Sequence, residues 1–110
     1  MKIHDLLSRI VKEGASDGFI TAEAPPCIKV DGQIFPISDT PLTEEDTREL
    51  VLSTMREDLK EQFLEHNECN YAINTEDLGR FRASAYVQRG KVGLVVRRIQ
   101  TEIPTIEELG

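Results

Sequence analysis

The stretch that most constrains this chain is Gly79 to Ile99, GRFRASAYVQRGKVGLVVRRI, where two runs of alternating character meet at Arg89-Gly90. In the first run Phe81, Ala83, Ala85 and Val87 fall on one side, and Arg80, Arg82, Ser84, Tyr86 and Gln88 on the other. That is the period of a strand with one buried face. A two-residue turn pairs Gln88 with Lys91 and sets Val87 opposite Val92, Ala85 opposite Leu94 and Ala83 opposite Val96. The apolar faces of the two strands coincide in this register, which favours it.

The same register puts Arg82 directly opposite Arg97 on the second face, with Arg80 close by. Like charges facing each other across a ladder are destabilising, so an anion is expected between them. The stretch carries six basic residues and no acidic one. On charge alone three readings stay open: solvated arginines, arginines paired with carboxylates of the helical segment below, or a ligand site. Exposed ion pairs are common and weak, so charge does not choose among them.

Upstream, Ile3, Leu6, Leu7, Ile10 and Val11 recur on one helical face, with Gly14 placed to stop the helix. Gly18 to Ala22 is a short strand candidate, and Ala24-Pro25-Pro26 then marks a loop. Cys27 to Val30 and Gln33 to Ile37 flank Asp31-Gly32, a hairpin signal that gathers Ile28, Val30, Phe35 and Ile37 on one face. After a connection from Ser38 to Leu42, Thr43 and Asp46 form a candidate capping box. Leu50, Val51 and Met55, then Leu59, Phe63 and Leu64, predict two helices broken near Thr54, with Thr54 and Glu57 as a second capping box. Cys69, Tyr71, Ile73 and Thr75 alternate as a strand that turns through Glu76 to Gly79 into the arginine hairpin. The order predicts an α+β fold, about five antiparallel strands with three helices packed on the sheet. Thr105 to Gly110 reads as a helix cut off after one turn, as though something were meant to follow.

A chain of 110 residues suits one compact domain. No apolar run approaches the roughly 20 residues that span a bilayer. MKIHDLLSRIVKEG lacks the uninterrupted apolar core of a signal peptide, so a cytoplasmic protein is expected, with Cys27 and Cys69 as reduced core thiols. A net charge of minus 7 argues against nucleic acid as a partner. The total hides a segregation: Asp39 to Glu68 holds ten acids and three bases, while Gly79 to Gln100 carries plus 6. The acidic charges fall on the solvent side of the helical stripes.

No Gly-x-x-x-x-Gly-Lys-Ser/Thr loop is present, so the chain lacks the main machinery for cradling a nucleotide. His66 and Cys69, with Cys27, are poorly spaced for zinc, and no metal site is expected. Neither His4 nor His66 has a nucleophile partner, and no catalytic residue is assigned.

Several segments together resemble the amino-terminal domain of the PilT/PilU-type retraction ATPases of bacterial type IV pili, the PilU branch more than the PilT branch. They are Ser16-Asp17 with Phe19-Ile20-Thr21, Pro25-Pro26 before Ile28-Lys29-Val30-Asp31-Gly32, and Gly79-Arg80-Phe81-Arg82. Val96-Arg97-Arg98-Ile99 and Ile103-Pro104-Thr105-Ile106-Glu107-Glu108-Leu109 complete the set, which covers essentially the whole chain. The resemblance implies a PAS-like domain over residues 1–100, with residues 101–110 a linker and the start of a RecA-like ATPase domain that carries the phosphate loop. It also implies a full-length ATPase using ATP and Mg2+, a homo-hexamer packed through neighbouring motor domains, and a place in twitching motility at the inner-membrane pilus machinery. In the wider secretion-ATPase superfamily, arginines of this domain reach the nucleotide phosphates. The resemblance therefore assigns phosphate contact to Arg82 and Arg97, with Arg80 and Arg98 as weaker candidates. Gly18 departs from the leucine usual in relatives and is expected to loosen the start of the first strand.

Two other functions compete. One is a stand-alone PAS-like sensor holding a small ligand in its core. The other is an interaction module in which the basic hairpin meets the acidic helices of another copy.

Overall fold

The computed structural model describes residues 1–99; the linker and domain start expected at 101–110 lie outside the described residues. The apolar stripe at the amino terminus forms α1 (Ile3–Glu13), burying Leu6, Leu7 and Ile10. It ends at Gly14, where φ is 70° and the N–H groups of Gly14 and Ala15 donate back to the carbonyls of Val11 and Ile10. Only a residue without a Cβ takes that left-handed turn freely.

The chain then runs through β1 (Asp17–Ile20), β2 (Cys27–Val30) and β3 (Gln33–Pro36), followed by α2 (Glu44–Leu52) and α3 (Glu57–His66). Thr43 and Asp46 cap α2 reciprocally, each backbone N–H donating to the other's side chain at 3.0 Å. The break before α3 falls where expected, but Thr54 does not cap it. Its hydroxyl donates to the Val51 carbonyl at 2.6 Å and pairs with the Tyr71 hydroxyl, leaving Arg56 at the cap position with no side-chain bond that caps the helix. Leu64 also leaves its expected stripe: it is 66% exposed, because α3 lies at the end of the layer and buries Phe63 alone.

β4 (Glu68–Thr75), β5 (Gly79–Gln88) and β6 (Lys91–Arg98) complete an antiparallel sheet in the order β3-β2-β1-β6-β5-β4. It has six strands, one more than the expected total of about five but as many as the separate runs of the sequence supply, and four-residue β1 pairs along both of its edges. The hairpin register is the expected one, Gln88 against Lys91 through Arg82 against Arg97, closed by positive φ at Arg89 and Gly90.

All three helices lie on one face of the sheet, the PAS-like arrangement. Phe81, Ala83, Ala85, Val92, Leu94 and Val96 form a single core with Leu6, Leu7, Ile10, Leu50, Val51, Met55 and Phe63. Ile28 belongs to that core, but Phe35 opposite it is 46% exposed, because β3 is the sheet's outer edge and the helices do not reach it. Cys69 is buried and Cys27 half-buried, both as free thiols.

Gly18 does not loosen the first strand. It is buried, and a Cβ there would lie 2.7 Å from Ile10 Cδ1 and 3.2 Å from the Leu6 methyls, so the glycine is the seat on which α1 packs. Gly18→Ala is expected to cost about 1 kcal/mol and Gly18→Leu about 3 kcal/mol by overpacking, read from urea denaturation of the chain.

The cap makes a second prediction. The Thr43 backbone N–H, and then its hydroxyl, hold the Asp46 carboxyl below the usual aspartate range. A depressed folded pKa gives stability that is present above the unfolded value and lost as pH falls through the folded one. Asp46→Asn should therefore lower the urea midpoint at neutral pH and leave it close to wild type in strong acid.

Candidate anion site on the open face of the sheet

The face turned away from the helices is read directly from the register. One row of paired residues crosses it as Ala72, Arg82, Arg97, Asp17, Lys29 and Ile34, from β4 to β3. The neighbouring row supplies Asn70, Ser84, Val95 and Phe19. Alternation puts the arginines here because Phe81, Ala83 and Val96 must face the core.

Between these rows lies a shallow pocket of about 250 Å3 lined by Asp17, Asn70, Arg82, Ser84, Val95 and Arg97. Two guanidiniums, a hydroxyl and an amide converge on it, donor types that suit a phosphate-like oxyanion. Arg80 is one step along the same face, its Nε donating to Asn74 Oδ1 at 3.2 Å. Arg98 is not with them: it pairs opposite Phe81, on the helix side of the ribbon. Of the four expected arginines the fold thus gathers three on one face and sets two beside the pocket.

The possibility that the hairpin pairs with the acidic helices is not realised among the described residues. The carboxylates of α2 and α3 are exposed, and the cations of the hairpin instead meet acids of the segment around β1. Lys91 Nζ lies 2.5 Å from Glu23 Oε1, and Arg97 Nε lies 3.4 Å from Asp17 Oδ2. Arg82 has no ion pair among the described residues.

Asp17 was not among the expected site residues. Its side chain is only 11% exposed while that of Arg97 is 72% exposed, and Ser16 Oγ donates to its other oxygen at 2.5 Å. Nothing local to Ser16-Asp17 reveals a partner 80 residues away; only the sheet order, which inserts β1 beside β6, brings the two together.

The core offers little to a small-molecule ligand. On the helix side the buried polar side chain is Thr47, and its hydroxyl already donates to the Glu44 carbonyl. A larger surface groove of about 640 Å3 runs between α1 and the 37–42 connection. Of its charged groups Asp5 accepts from the Lys2 backbone and Asp46 from the Thr43 backbone, while Arg9 Nε lies 3.5 Å from Glu13 without a hydrogen bond and Lys12 has no ion pair among the described residues.

No protein-family model matches the chain. The type IV pilus ATPase PilU of Pseudomonas aeruginosa is 51% identical over 109 residues, 99% of this chain and 28% of PilU. The type IV pilus retraction ATPase PilT of the same organism is 34% identical over 110 residues, all of this chain and 32% of PilT. Among solved structures, the pilus retraction motor PilT with bound ADP superposes with a TM-score of 0.87 at 37% identity, covering 100% of this chain and 32% of that one. The chain therefore spans about a third of the length of these relatives, and it matches their amino-terminal domain in sequence and in fold.

Relieving the like-charge pair tests the register on the open face. Arg82→Gln should leave the fold intact and raise stability by roughly 0.2–0.5 kcal/mol at low ionic strength, a gain that fades as salt screens the pair. Urea denaturation across a salt series provides the measurement.

Proposed function

We propose that this chain is the amino-terminal domain of a PilT/PilU-type pilus ATPase and that, in the full-length motor, Arg82 and Arg97 contact the nucleotide phosphates. Residues 1–100 are the PAS-like unit, and residues 101–110 lead into a RecA-like motor domain. The full-length protein works as a cytoplasmic homo-hexamer at the inner-membrane pilus machinery, with neighbouring motor domains packed against this one. The observation that supports this reading is the placement of two arginines side by side at one shallow pocket, within a chain 51% identical to PilU over its length.

Chemically, the two guanidiniums stabilise the charge spread over the transferring phosphoryl oxygens, a role that matters most when the donors reach the phosphate only in the closed state. Arg80 supports them from one row away, and Arg98 belongs to the opposite side of the ribbon. The chain alone has no phosphate-cradling loop and does not hydrolyse ATP. Among the described residues no cluster of acidic, His or Cys side chains suits a metal, and Asp17 is engaged by Ser16 and Arg97. The metal belongs with the motor domain.

In the full-length protein, Arg82→Ala or Arg97→Ala should lower ATP turnover by about 10-fold or more while the hexamer and its thermal transition persist. Wild-type turnover in both variants removes the assigned role.

A further inference from the structure

We infer that Asp17 is a positioning residue of the anion site: it holds Arg97 beside the pocket while no phosphate is present and competes with the phosphate when one arrives. The inference rests on the phosphate reading above and adds a residue to it.

Asp17 lies in the middle of the charged row, paired across one ladder with Arg97 and across the other with Lys29. A carboxylate so nearly enclosed on the edge of a polar pocket needs partners. It has two, the Ser16 hydroxyl on Oδ1 and Arg97 Nε on Oδ2. The contact to Arg97 is long, at 3.4 Å, and it uses Nε alone. A guanidinium has five N–H donors, so the terminal nitrogens of Arg97 stay available to an oxyanion held with Arg82. Asp17 therefore aims Arg97 without consuming it, and its charge opposes any second anion in the pocket. A site built this way binds phosphate more weakly than its arginines alone would, and so releases it readily.

The test is titration of the 110-residue chain with inorganic tripolyphosphate at low ionic strength, followed by calorimetry and by the arginine Nε–H resonances. The wild-type chain should bind with its Arg97 resonance moving, and Arg82→Ala should lose binding. Asp17→Asn should bind roughly tenfold tighter, the factor expected from removing one unit charge a few ångströms from the anion in a partly solvated site. Ser16→Ala, which strips from Asp17 the hydroxyl that partly neutralises it, should weaken binding by a smaller factor, and it keeps the test standing if Asp17→Asn does not fold. Asp17→Glu should return the wild-type affinity. If Asp17→Asn binds no tighter than wild type and Ser16→Ala no more weakly, Asp17 is a structural ion-pair partner and this inference falls while the phosphate site stands. If neither wild type nor any variant binds, the phosphate reading falls and this inference with it.

Discussion

Arg82 and Arg97 face each other because the other side of their ribbon leaves no alternative. Ala83 against Val96 and Ala85 against Leu94 place four buried side chains in the core, and sliding either strand by one residue would turn that strand's pair to water. Burying each such side chain is worth about 1–3 kcal/mol, against a few tenths for an exposed like-charge pair across a ladder. The hydrophobic side therefore wins, and the repulsion on the open face persists as a standing preference for an anion.

The rest of the fold supplies the surroundings of that pair. The helices cover only one face, and α1 can lie close because Gly18 presents no side chain to Ile10 and Leu6. The close approach helps seat β1 in the sheet, where it pairs with β6 and delivers Asp17 to Arg97. Packing on the buried face thus decides the electrostatics of the open one. The acidic helices form no ion pair with the hairpin among the described residues, although the Glu23 hydrogen bond, with Glu44 adding to it, holds the Lys91 ammonium above its ordinary pKa; their carboxylates stay in water, where ion pairs contribute little.

Most elements were legible because each rests on a local rule. The helical stripe of α1, the reciprocal cap of Thr43 and Asp46, the turns at Asp31-Gly32 and Arg89-Gly90, and the alternation of β5 all follow from residues within a few positions of one another. The misplaced features depended on distant ones. Thr54 looks like a cap until Tyr71 offers it another partner. Phe35 and Leu64 look like core until the sheet edge and the short reach of α3 leave them in water. Gly18 looks like a weakness until a helix settles on it.

By itself the sequence determined the secondary elements, the hairpin register and hence the opposition of Arg82 and Arg97, because period and turn chemistry act along a single stretch of chain. Only the tertiary structure decided which strand lies beside Arg97 and that a nearly enclosed carboxylate sits at the pocket's edge. The order of strands in a sheet is set by how helices and loops pack as a whole, and no local pattern of residues records it.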